Sequence, residues 1–91
     1  MLKLVRNACA GTLESSDAYV EVELIAGENE IEIESVVKEQ FGDAIYDAAS
    51  DVIQRMNVCN VKLRIMDRGA LDCVIRARIE TALLRGTEDA E

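Results

Sequence analysis

The sequence predicts an α+β domain with element order βββαβα, and three observations carry that prediction. Apolar residues alternate with glutamates between Val20 and Glu34, the period-two pattern of strands with one solvated face. From Phe41 to Met56 the apolar residues recur instead at helical spacing, and a second helical stripe runs from Leu71 to Leu83. Between the two stripes Val61, Leu63 and Ile65 alternate with Asn60, Lys62 and Arg64, a fourth strand.

Taken in order, Ala8 to Leu13 is the first and weakest strand candidate, and Ser15-Ser16-Asp17 has turn composition. Val20, Val22 and Leu24 point to one face of the second strand, with Glu21 and Glu23 on the other. Ile31 and Ile33 do the same in the third, against Glu30, Glu32 and Glu34. Ala26-Gly27-Glu28-Asn29 reads as a hairpin loop in which Gly27 or Asn29 takes positive φ, making the three strands an antiparallel meander. Phe41, Ile45, Ala48, Ala49, Val52 and Met56 form the core stripe of the first helix, capped by Ser35 or by Asp43. Asp67 is a candidate cap for the second helix. Its stripe is Leu71, Val74, Ile75, Ile79, Ala82 and Leu83, and Gly86 closes it. Both helices packed on one face of the sheet bury both stripes. Residues 1–85 read as one domain and 86–91 as a flexible acidic tail.

Composition excludes several functions. The 91 residues include no His, Trp or Pro. Imidazole, the commonest general base and metal ligand, is therefore missing, and no Ser or Cys has a His partner for nucleophilic catalysis. The net charge of −8 (10 basic against 18 acidic residues) argues against nucleic acid as a partner. Eight acids and no base lie between Glu14 and Val37. Outward carboxylates at Glu21, Glu23, Glu30, Glu32 and Glu34 are expected to make one sheet face strongly negative and to steer docking onto basic surfaces. Cys9, Cys59 and Cys73 are odd in number and lack CxxC spacing, so they read as buried packing thiols rather than as a disulfide framework or a metal site. There is no signal-peptide pattern and no apolar run that spans a bilayer, which reads as a cytoplasmic protein with no membrane partner.

Ala10-Gly11-Thr12-Leu13-Glu14-Ser15 with Asp17 is the segment that bears on chemistry. An exposed serine on a protruding turn is a good phosphodiester acceptor, because a modifying enzyme must bring its hydroxyl in line with a phosphate. This segment resembles the N-terminal motif of the acyl carrier protein of citrate lyase, its gamma subunit. The resemblance continues through Val37-Lys38-Glu39-Gln40-Phe41-Gly42-Asp43-Ala44-Ile45 and through Gly69-Ala70-Leu71-Asp72-Cys73-Val74-Ile75-Arg76-Ala77-Arg78-Ile79-Glu80, in the family's order and spacing. It implies that Ser15 carries a covalent 2'-(5''-phosphoribosyl)-3'-dephospho-CoA group, installed by a prosthetic-group transferase. Ser16 stands where the family usually has Gly and is the alternative acceptor. The resemblance further implies a non-catalytic subunit whose arm holds acetyl and citryl thioesters. The citrate lyase alpha subunit exchanges acetyl for citrate, and the beta subunit releases oxaloacetate. Tethering presents the acyl group to both sites at a local concentration of order mM, and the chemistry belongs to the cofactor and the other subunits. Arg76 and Arg78 are candidate contacts to phosphates of the arm or to acids on a partner. Cys73 is read as packing. A malonate decarboxylase-type carrier uses the same kind of group. An unmodified α+β interaction module is the reading from outside the carrier class.

Overall fold

A computed structural model describes residues 2–89. Eight elements follow along the chain: β1 (Leu2–Leu4), β2 (Ala8–Gly11), β3 (Ala18–Leu24), β4 (Glu30–Ser35), α1 (Lys38–Met56), β5 (Val61–Asp67), α2 (Asp72–Gly86) and β6 (Thr87–Asp89). The α+β class and the βββαβα run from β2 to α2 are as the sequence predicts. One face of the main sheet carries both helices, α2 over β2 and β3 and α1 over β4, and the helices pack on each other. The core is aliphatic. Val20, Val22, Leu63 and Ile65 from the sheet meet Ile45, Val52, Ile79 and Leu83 from the helices. Leu24, Phe41 and Leu71, expected in that core, are exposed instead.

The strand order corrects the predicted meander. It is β2-β3-β5-β4, with β5 antiparallel to β3 and parallel to β4. β3 and β4 are therefore not a hairpin, and β4-α1-β5 is a crossover unit. The loop after β3 arches over the end of β5. Ile25 N–H donates to Asn60 O (3.1 Å), Asn60 Nδ2 donates to Gly27 O, and Asn29 bonds Val58 O and Val61 N–H at 3.2 and 3.0 Å. Gly27 does take positive φ (110°), within this arch. Charge explains the order. Paired directly, β3 and β4 would set glutamate against glutamate, which destabilises a sheet. With β5 between them, Arg64 lies opposite both Glu21 and Glu32, and Lys62 opposite both Glu23 and Glu30. Glu32 pairs with Lys62 at 3.8 Å and with Arg64 at 3.9 Å. The expected acidic face is thus crossed by two bases.

Two short strands had no counterpart in the sequence reading. β1 pairs antiparallel with β6, Leu4 opposite Thr87. The tail expected from residue 86 is therefore structured as far as Asp89, and residues 90–91 lie outside the described ones. Gly86 is the last residue of α2, without positive φ. A Cβ there would sit 2.9 Å from both Arg6 O and Leu4 Cδ1, so glycine is needed for close approach and not for a left-handed cap.

The helix starts also differ. Neither has a side-chain cap bond, and Asp43 lies inside α1. Ser35, two residues before the N-cap Val37, accepts the Val37 N–H (3.1 Å) and donates to buried Asp67 at 2.7 Å. Asp67 also accepts from Gly69 N–H (3.1 Å) and Ala70 N–H (2.9 Å), so it fixes the β5–α2 loop rather than the helix start.

Candidate functional site

The serine turn joins β2 to β3. Asp17 N–H donates to Glu14 O at 3.1 Å, closing a four-residue turn with Ser15 and Ser16 at its centre, both exposed. Ser16 sits at φ 65°, the left-handed region that glycine occupies without strain. Ser16 takes this conformation at a cost of about 1 kcal/mol.

The turn is held from both flanks. At its start Gly11 has φ 92°, and a Cβ there would lie 1.8 Å from Ala18 O, so the hairpin closes only on glycine. Thr12 Oγ1 accepts the Glu14 N–H (3.2 Å) and donates to Asp17 Oδ2 (2.7 Å). Asp17 also accepts the Ala18 N–H (2.7 Å) and two bonds from Arg78, from Nε to Oδ1 at 2.9 Å and from Nη2 to Oδ2 at 3.3 Å. Its side chain is only 15% exposed. The Arg78 guanidinium, then the Thr12 hydroxyl and the Ala18 N–H, hold the Asp17 carboxyl at about 2, well below its ordinary value. The β5–α2 loop supports the far side: Ser16 N–H donates to Arg68 O and Arg68 N–H to Asp17 O, each at 2.9 Å.

The structure therefore brings Ser15, Ser16, Thr12, Asp17 and Arg78 together. The sequence singled out the serines and Arg78 but not Thr12 and Asp17 as a clamp; their five-residue spacing across a turn was the available signal. Arg78 engages an acid of its own chain at the root of the turn. Arg76, the other candidate, bonds Asp72 Oδ2 (2.7 Å) and Asp51 and ties α2 to α1. The predicted packing role of the cysteines is overturned, since Cys9, Cys59 and Cys73 are all exposed free thiols. Cys9 lies on the outward phase of β2, between inward Ala8 and Ala10.

Residues 5–86 match the family model described as malonate decarboxylase delta subunit (MdcD). A citrate lyase acyl carrier protein of Serratia proteamaculans (strain 568) is 45% identical over 91 residues, covering 99% of this chain and 89% of that protein. One of Cronobacter sakazakii is 49% identical over 87 residues, covering 96% and 90%. The chain belongs to the citrate lyase acyl carrier protein family. Its fold is similar to a chain in the crystal structure of a Pseudomonas malonate decarboxylase hetero-tetramer in complex with malonate, with a TM-score of 0.71 at 19% identity, covering 88% of this chain and 82% of that one. At that identity the likeness concerns the fold. No helix among the described residues is long and apolar enough to cross a membrane.

Proposed function

We propose that this chain is the acyl carrier subunit of a citrate lyase, with Ser15 esterified through a phosphodiester to 2'-(5''-phosphoribosyl)-3'-dephospho-CoA. One observation carries the reading: Ser15 stands exposed at the corner of a turn whose two flanks are fixed by Gly11, Thr12, Asp17 and Arg78. Among the described residues its hydroxyl enters no intramolecular hydrogen bond, which suits a covalent attachment point. When attached, the group supplies a terminal thiol that holds an acyl group as a thioester. The chain contributes placement. Its clamp keeps the root of the arm in a defined position, while the exposed hydroxyl leaves the arm free to swing between the alpha and beta subunits. The family model favours a second reading, a malonate decarboxylase-type carrier; the 42–49% identity to citrate lyase carriers weighs for the first.

Intact mass with fragmentation across Leu13 to Asp17 tests the attachment. The adduct is expected on Ser15, lost in Ser15→Ala and retained in Ser16→Ala; the reverse pattern moves the role to Ser16. Mixing the modified chain with citrate lyase or with malonate decarboxylase subunits separates the two carriers by which activity returns.

A further inference from the structure

The two arginines that the sequence nominated as phosphate contacts are both committed to acids of their own chain, Arg76 to Asp72 and Asp51 and Arg78 to Asp17. Arg6, Arg55, Arg64 and Arg85 are likewise engaged, by Glu88, Asp51, Glu32 and Cys9 O. Arg68 is the exception. Its side chain is half-buried, yet among the described residues its guanidinium enters no hydrogen bond and no ion pair. Its main chain, by contrast, is tied to the serine turn at both polar groups. The N–H donates to Asp17 O and the carbonyl accepts the Ser16 N–H, each at 2.9 Å. The β3–β5 ladder ends with Ala18 opposite Asp67, so Arg68 stands one step further on, opposite Asp17. Neighbouring strands lie about 4.8 Å apart, a gap that an arginine stem spans.

We propose that the Arg68 guanidinium binds the phosphodiester through which the arm is joined to Ser15. The inference rests on the carrier reading above and deepens it. Modification places a further anion on a turn that already carries Glu14, in a chain of net charge −8. Asp17 adds no free charge there, because Arg78 and Thr12 hold it. Arg78 cannot serve the phosphate without giving up that clamp, whereas Arg68 turns to it without breaking any bond. A planar guanidinium matches two phosphate oxygens at once, which an ammonium does not. The turn supplies a second donor. The Ser15 N–H has no intramolecular acceptor among the described residues, and it belongs to the residue whose hydroxyl is esterified. Binding at the root restrains only the first bonds of the arm, so its thiol end remains free to swing.

The full-length carrier is loaded by its prosthetic-group transferase, and the phosphodiester is followed by phosphorus NMR. Wild type, Arg68→Gln, Arg68→Lys and Arg55→Gln are compared, the last removing the same charge from the end of α1. The modified peptide released by proteolysis around the turn is the reference. In wild type the resonance is expected to stand apart from that of the peptide. It should return to the peptide position in Arg68→Gln, return in part in Arg68→Lys and stay in place in Arg55→Gln. In proton–nitrogen spectra the Arg68 Nε–H signal should shift on loading and exchange more slowly with water. That readout needs no variant, so it decides the matter even where Arg68→Gln disturbs the turn. Thermal melts of the apo forms of wild type and Arg68→Gln should coincide, since the side chain has no partner to lose. A phosphorus resonance that is the same in all four proteins overturns the inference while leaving the carrier reading intact, and an Arg68 signal that moves without it assigns Arg68 to Glu14 instead. A chain that gains no adduct on Ser15 overturns both.

Discussion

Asp17 concentrates more of the site's interactions than any other residue. Its carboxylate takes bonds from Arg78, Thr12 and the Ala18 N–H, which lowers its pKa from 3.8 to about 2. A carboxyl depressed in the folded state contributes stability above its unfolded pKa and loses it as pH falls through the folded one. Stability is therefore expected to decline between about pH 4 and pH 2 more steeply in the wild type than in Asp17→Asn. Acid titrations followed by circular dichroism would show this, and carboxyl NMR would give the Asp17 midpoint directly. A midpoint near 3.8 would contradict the clamp. At Ser16 the left-handed φ costs a serine more than a glycine. Ser16→Gly should raise stability by about 0.5 kcal/mol, the relief of strain less the added unfolded-chain entropy. Gly11→Ala, which meets Ala18 O, should lower it by at least about 2 kcal/mol. Denaturant melts decide both.

At the scale of elements, the β5–α2 loop links the serine turn to the start of α1. Buried Asp67 organises it by satisfying Ser35 Oγ, Gly69 N–H and Ala70 N–H. Asp67→Ala strands these donors and should cost about 3 kcal/mol, because several hydrogen-bonding groups lose their partner at once. Amide exchange at Gly69 and Ala70 should rise with it, and protection retained at both would show that the loop holds by packing alone. The two-stranded ribbon depends on close approach in the same way. Leu4 is buried beside Gly86, and the Thr87 hydroxyl donates to Leu83 O at 2.7 Å. Gly86→Ala should therefore loosen β1 and β6 while leaving the main sheet intact.

Across the whole molecule, charge is uneven in sequence but partly compensated in space. The acidic run from Glu14 to Glu34 is distributed over β3, β4 and their connections, and β5 brings Lys62 and Arg64 between the strands. The net charge of −8 persists. Association with basic partner surfaces should slow as salt rises, since charge steering acts on the on-rate. Stopped-flow association at several ionic strengths, in wild type and in the Glu21→Gln, Glu23→Gln double variant, measures the effect. The isolated chain, with its net charge of −8, should show no heat of citrate binding by calorimetry.

Local pattern alone determined the residue classes of the main elements. Alternation placed Val20, Val22, Leu63 and Ile65 on buried strand faces, and helical spacing placed Ile45, Val52, Ile79 and Leu83 in the core, because these periodicities follow from backbone geometry. The exposed serine turn was legible for the same reason, as polar residues between two strands. Neighbourhood was not legible from alternation, which specifies a face and not the adjacent strand. The one sequence signal for strand order lay in the outward residues, glutamates on β3 and β4 and bases on β5. Only tertiary structure decided that β5 separates β3 from β4 and that Leu71 and Phe41 line an open cleft. It also decided that Asp17 meets Arg78 from 61 residues away. Each of these depends on contacts between distant segments, whose geometry is set by how helices and strands pack and by which charges must be kept apart.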